Sequence, residues 1–281
     1  MPGITGIITE QGIVSEINLL NTFHEENGVD YLKNSAKFQK AMFGRFSINK
    51  FQNDKVFKEI NQHLICTEGI ILNSKKLLNQ YNANDLGELS IKLYEQYEWS
   101  FVEQFRGNFS GFLYSEKDNS LMVFTDHLAA KPIFYFHDKK SNTLIFASEL
   151  KVVAKNMKQL GFTPQLDIDG AQCLLTFAYM LGDLTLVNEI KKLSPGNVLL
   201  YKNGEIELKE YYKLSSTPYI EGDENEIIKE LDKRFKEAVR LEYEKDIEYG
   251  YSHIATLSGG LDSRTNVGYA KKIGINNITC F

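Results

Sequence analysis

The chain has 281 residues, 43% hydrophobic, 12% aromatic and 25% charged, which is ordinary globular usage and excludes a disordered, fibrous or small disulfide-stapled protein. At about 150 residues per domain, the length predicts two domains. With 32 basic against 37 acidic residues the net charge is −5, and the lysines are scattered among acids, so nucleic acid is not an expected partner.

The opening Met1-Pro2-Gly3-Ile4-Thr5-Gly6-Ile7-Ile8 carries no basic segment, and Glu10 cuts its apolar run, so no secretory signal is expected. From there to about residue 212, short β-type runs dominate: 4–8, 40–49, 63–71, 108–114, 121–125, 133–136 and 143–147, each bounded by turn residues. Between them the spacing of Leu89, Leu93, Tyr97 and Phe101 predicts a helix over 86–105, and a second is predicted over 170–181 with Asp169 as its N-cap. The most apolar stretch, 173–181, is about half the ~18 residues a membrane span requires, so no membrane partner and a cytoplasmic location are expected. The cysteines Cys66, Cys173 and Cys280 are odd in number and far apart, and they read as reduced, buried thiols.

Residues 213–223 are polar and contain Pro218 and Gly222, the composition of an interdomain linker. Next, Ile227, Ile228, Leu231, Phe235, Ala238, Val239 and Leu241 give one apolar face over 224–244, an amphipathic helix whose role is packing. A strand over 253–257, a helix over 264–273 and a strand over 277–281 then form a βαβ unit.

Its first junction reads Ser258-Gly259-Gly260-Leu261-Asp262-Ser263. A glycine pair between a strand and a helix lets backbone N–H groups converge at the positive end of the helix, which is how proteins hold phosphate oxygens. No GxxxxGK[ST] and no strand-following GxGxxG is present, and a GxSxG elbow fails because Thr256 holds the first glycine position. The hexapeptide resembles the SGGxDS pyrophosphate loop of the ATP pyrophosphatases; a surface turn is the plainer alternative.

Further motifs follow in order: Gly3-Ile4-Thr5-Gly6-Ile7, Arg106-Gly107-Asn108-Phe109, DHLAAKPIFY from Asp126, FASELK from Phe146, and Ser194-Pro195-Gly196. Together they resemble the asparagine synthetases. The resemblance implies an α+β fold: an αββα N-terminal-nucleophile (Ntn) hydrolase-like sandwich over 1–212, similar to a class II glutamine amidotransferase domain, the linker over 213–223, and the first βαβ unit of an α/β PP-loop synthetase domain over 224–281. It implies ATP and Mg²⁺ as cofactors, with Leu257 against the base or ribose, Ser258, Gly259, Gly260, Asp262 and Ser263 around the phosphates, and Asp262 at the metal.

The chain departs from the family in its glutaminase half. Pro2 stands at the position of the nucleophilic cysteine, and proline has no group that could form a thioester. Glu68 and Gly69 fall on the Asn-Gly oxyanion pair, so a carboxylate replaces an amide donor. No catalytic set for glutamine hydrolysis is expected to be intact. Arg45 and Asp85 fall where the family grips the carboxylate and amine of glutamine; an exposed arginine and a helix-start aspartate are the plainer readings. Arg264 replaces a small polar residue and either contacts phosphate or faces solvent. One βαβ unit cannot cover both faces of a parallel sheet, so the chain reads as truncated, or as one part of a split enzyme.

Two functions of different class remain open. One is an ATP-dependent, AMP-forming amide ligase in amino-acid biosynthesis with an inactive glutaminase half. The other is a non-catalytic scaffold or regulatory subunit with a degenerate Ntn fold. The partners expected are ATP, a complementing synthetase chain and a second copy in a homodimer.

Overall fold

The computed structural model describes residues 2–13, 17–217 and 221–281; Met1 and Pro218 lie outside the described residues. The chain divides into two compact units, with the boundary between Lys213 and Leu214.

The first unit opens with strands β1 (Gly3–Thr9), β2 (Tyr31–Lys37), β3 (Ala41–Ile48), β4 (Phe57–Ile60) and β5 (His63–Ile71). Helices α1 (Ser74–Gln80) and α2 (Leu86–Tyr97) follow, then β6 (Gly107–Ser115), β7 (Ser120–Thr125), β8 (Phe134–Asp138) and β9 (Thr143–Ala147). Helices α3 (Leu150–Gln159) and α4 (Ile168–Phe177) precede β10 (Ile190–Lys192), β11 (Asn197–Lys202) and β12 (Glu205–Glu210). Two antiparallel six-stranded sheets result, in the orders β10-β8-β9-β1-β3-β2 and β12-β11-β7-β6-β5-β4.

Every residue of β1 is buried, and its alternation explains why. Ile4 and Ile8 join Phe43, Cys66, Phe112 and Phe146 in the core between the sheets. Ile7 faces the other way, with Val152, Val153 and Met157 of α3. On the far side of the second sheet Leu86, Leu89 and Leu93 of α2 pack on Phe109 and Phe124. The layers are therefore helix, sheet, sheet, helix, the αββα sandwich that the resemblance implies. Gly6 is required by close packing: a Cβ there would lie 2.4 Å from the Phe146 ring.

The second unit has α5 (Glu224–Tyr249), β13 (His253–Ala255), α6 (Leu261–Lys272) and β14 (Ile278–Cys280). β13 and β14 pair in parallel, His253 opposite Ile278, and a small core of Val239, Tyr243 and Ala270 joins α5 to α6. Among the described residues no helix is long and apolar enough to cross a membrane.

Several sequence expectations are corrected. The helix expected over 86–105 stops at Tyr97, because Glu98 takes φ 50°, and a 3-10 segment (Glu98–Gln104) completes the run. Asp167, not Asp169, caps α4 by accepting from Gly170 N, and Ala178 in the left-handed region ends that helix before Leu181. Helix α5 continues to Tyr249 and stops at Gly250, which has φ 68°. Strand β13 is two residues shorter than expected, and α6 begins at Leu261, inside the motif. Cys66 and Cys173 are buried, but Cys280 is exposed on the edge of a two-stranded sheet.

Candidate functional site

The second unit presents the motif loop at the N-terminus of α6, between two parallel strands. Leu257, 43% exposed, donates its amide to Phe281 O at 3.0 Å. Ser258 and Ser263 are tied: Ser258 N donates to Ser263 Oγ at 3.0 Å, and the two hydroxyl oxygens lie 2.9 Å apart. Gly260 N donates to Ser258 Oγ at 3.3 Å. Arg264 is exposed, and its guanidinium turns back to donate to Gly260 O at 3.1 Å and Gly259 O at 2.7 Å. It holds the two glycine carbonyls and thereby sets the orientation of their peptides, a role the sequence did not reveal.

A Cβ on Gly259 would meet nothing within 4 Å, and one on Gly260 only Ser258 Oγ at 3.4 Å. Neither glycine has a positive φ, so internal packing does not demand them. A cleft of about 520 Å³ adjoins the loop, lined by Thr256, Ser263 and Asn266 with Glu242 and Asp246 of α5. Burial pushes the Glu242 carboxyl up, and the Asp246 charge adds to the effect. Asp262 is exposed in the first turn of α6. The described residues contain no group of three His, Cys, Asp or Glu able to hold a metal ion alone. A Mg²⁺ ion here would fit only as one brought by phosphate oxygens and met by a single carboxylate.

In the first unit, Pro2 directly precedes β1, and Arg45 lies opposite Ile4 in the β1–β3 ladder, so both sit at one end of the sandwich. Arg45 is 4% exposed, which corrects the expectation of an exposed arginine. Its Nε and Nη2 donate to Asn34 Oδ1 at 3.2 and 2.9 Å, and Nη1 donates to Lys55 O. Glu68, on the inter-sheet face of β5 with Cys66, is 1% exposed, and its Oε1 lies 3.5 Å from Lys55 Nζ. Burial pushes the Lys55 ammonium below the usual lysine range, while the Glu68 charge opposes the shift. Burial also pushes the Cys66 thiol up, with Arg45 opposing. Gly69 has φ 122°, and a Cβ there would lie 2.1 Å from Asn108 O, so glycine is obligatory in this rung.

Arg45 and Glu68 are thus brought together through Lys55. Asp85 is placed elsewhere: it caps α2 by accepting from Glu88 N at 2.9 Å and pairs with Lys58 at 2.6 Å. Lys55 was missed because a lone lysine in a polar loop carries no signal in the sequence.

Two antiparallel sheets between helix layers, with β1 central in the first, define a class II glutamine amidotransferase-like Ntn sandwich. The chain belongs to the glutamine amidotransferase domain family, which matches residues 1–212. It is 26% identical over 214 residues to a putative glutamine-hydrolysing asparagine synthetase 2 of Methanocaldococcus jannaschii, covering 74% of this chain and 40% of that protein. It is 22% identical over 208 residues to the glutamine-hydrolysing asparagine synthetase 3 of Bacillus subtilis, covering 72% and 32%. In fold it is similar to the glutamine phosphoribosylpyrophosphate amidotransferase of Bacillus subtilis complexed with ADP and GMP, with TM-score 0.51 and 13% identity over 99% of this chain and 65% of that one. The chain therefore spans less than half the length of these synthetase relatives.

Proposed function

We propose that this chain is the amidotransferase-like and ATP-loop part of an AMP-forming, asparagine-synthetase-like amide ligase that does not hydrolyse glutamine. The observation that carries the reading is the β13–loop–α6–β14 unit, in which Ser258 to Ser263 opens a helix beside a polar cleft. The N-terminal amides of α6 and the Ser258 and Ser263 hydroxyls hold the β- and γ-phosphates of ATP. Leu257 contacts the base or ribose, and Asp262 meets the Mg²⁺ that the phosphates carry. An acceptor carboxylate then attacks the α-phosphorus: a carboxyl O–P bond forms, the P–O bond to pyrophosphate breaks, and an amine displaces AMP. The loop contributes by preorganised donors aimed at the departing charge. Residues for the acceptor come from a complementing synthetase segment.

The test is calorimetric titration of ATP with Mg²⁺ into the wild type and Gly260→Val. A side chain at Gly260 meets almost nothing in the protein, so the variant folds and removes only the close approach of a ligand. Binding lost in Gly260→Val supports the loop as the ATP site. Equal affinity in both proteins leaves it a turn, and AMP appearing when a complementing synthetase segment is added supports the ligase reading.

A further inference from the structure

We propose that Lys55 is a built-in ligand: its ammonium stands against Glu68 at an acceptor rung that Glu68 shares with Ser110 inside the sandwich, a rung whose chemistry selects a primary alkylammonium group. The inference concerns the first unit alone and does not rest on the ATP reading.

The acceptor groups come from a single rung. Glu68 on β5 lies directly opposite Ser110 on β6, so both side chains point into the layer between the sheets, where Cys66 and Phe112 face the core. Glu68 is 1% and Ser110 0% exposed. Glu68 Oε2 and Ser110 Oγ are both buried without a hydrogen-bond partner. Buried polar atoms without partners are rare, and an ionised one is costly. This rung has spare acceptor capacity on one face, buried away from bulk water.

An ammonium faces the carboxylate. Lys55 Nζ donates to Ile48 O at 3.0 Å and stands 3.5 Å from Glu68 Oε1, longer than the 2.7–2.9 Å of a well-formed charge-assisted bond. An ammonium has three N–H donors and no acceptor, the complement of a carboxylate with one free oxygen beside a free hydroxyl. An amide carbonyl would meet the reverse polarity here, because Glu68 offers it no donor.

Lys55 reaches the site from a strap over residues 49–56 between β3 and β4. Arg45 Nη1 donates to its carbonyl. The Thr67 hydroxyl donates to Asp54 O at 2.8 Å and accepts from Val56 N at 2.9 Å. Ser74 Oγ donates to Asp54 Oδ1 at 2.9 Å. The strap is fastened at several points while the ammonium it delivers stands 3.5 Å from the carboxylate, as expected where the backbone, and not the ion pair, fixes its position.

The experiment uses the full chain. Lys55→Ala removes the internal ammonium and leaves Glu68 buried without its counter-ion, and Tm is expected to fall by roughly 10 °C. Added n-butylammonium is expected to restore most of that loss saturably, whereas n-butanol is not. The rescue should vanish in Lys55→Ala combined with Glu68→Gln. Rescue equal with n-butanol, or persisting in the double variant, overturns the proposal. If Lys55→Ala does not fold, the wild type decides: the Lys55 ammonium should give a slowly exchanging ¹⁵N–¹H resonance that shifts in Glu68→Gln, and exchange as fast as that of surface lysines overturns it. None of these outcomes bears on ATP affinity, so the two readings fail separately.

Discussion

The hydroxyl oxygens of Ser258 and Ser263 lie 2.9 Å apart across the loop that opens α6, and the same Ser263 oxygen accepts the Ser258 amide at 3.0 Å. The loop therefore satisfies its own donors, and a triphosphate would take them over. Ser263→Ala removes one hydroxyl donor, worth about 1.5 kcal/mol or more, at least roughly tenfold in affinity, for a bond to a charged group. Titration of ATP should show that loss. The loop is exposed, so thermal unfolding of the chain should change little.

Asp262 lies in the first turn of α6 and is assigned to Mg²⁺ under the proposed function. Asp262→Ala should weaken ATP binding when Mg²⁺ is present and have little effect in excess chelator. A loss of equal size in both conditions would remove Asp262 from the metal and leave it a helix-start charge.

Most of the sandwich was legible in the chain because its buried strands are dense in Ile, Phe and Leu between turn residues; β1, β5, β6, β7 and β9 fall close to the predicted runs. Of the strands that were not legible, β2, β4, β10 and β12 are sheet edges, whereas β11 is an internal and largely buried strand. β2 (YLKNSAK) and β12 (EIELKE) are exposed or half-buried along most of their length, so no apolar alternation marks them. The Ser258–Ser263 string was legible, and the structure places it at the start of α6. The cluster beneath Arg45 was not, since Lys55 and Glu68 are 13 positions apart and only the sheet packing brings them together. Helix ends suffered for a local reason: Glu98 and Ala178 adopt positive φ without being glycine, and nothing in their residue type announces it.

Asp85 gives a pH-dependent test of the α2 cap. Partial burial works against its ionisation, but hydrogen bonds from Lys58 and from Glu88 N outweigh it and hold the carboxyl below the usual aspartate range. A depressed carboxyl stabilises the fold above the unfolded-state pKa, and the contribution is lost as pH falls through the folded value. Asp85→Ala should cost about 1 kcal/mol near neutral pH, measured by urea unfolding. The gap to wild type should narrow steadily below about pH 4, while Asp85→Asn, which still caps, should lose less.

Neither the wild type nor Pro2→Cys should release ammonia from glutamine if, as the family resemblance implies, Glu68 stands where a developing oxyanion would need a donor. Nor should Glu68→Asn be a simple repair. It strips the counter-ion from Lys55, which is 8% exposed, and losing one partner of a buried pair costs about 3 kcal/mol or more. Glu68→Asn should therefore lower stability without yielding hydrolysis, and Lys55→Met added to it should recover much of the loss by removing the stranded charge. Denaturant unfolding reads the stability of each variant, and an enzymatic ammonia assay reads the hydrolysis. Ammonia from Pro2→Cys alone would show that the carboxylate of Glu68 does not face the reacting position. A Glu68→Asn variant as stable as wild type would show that Lys55 draws nothing from the pair.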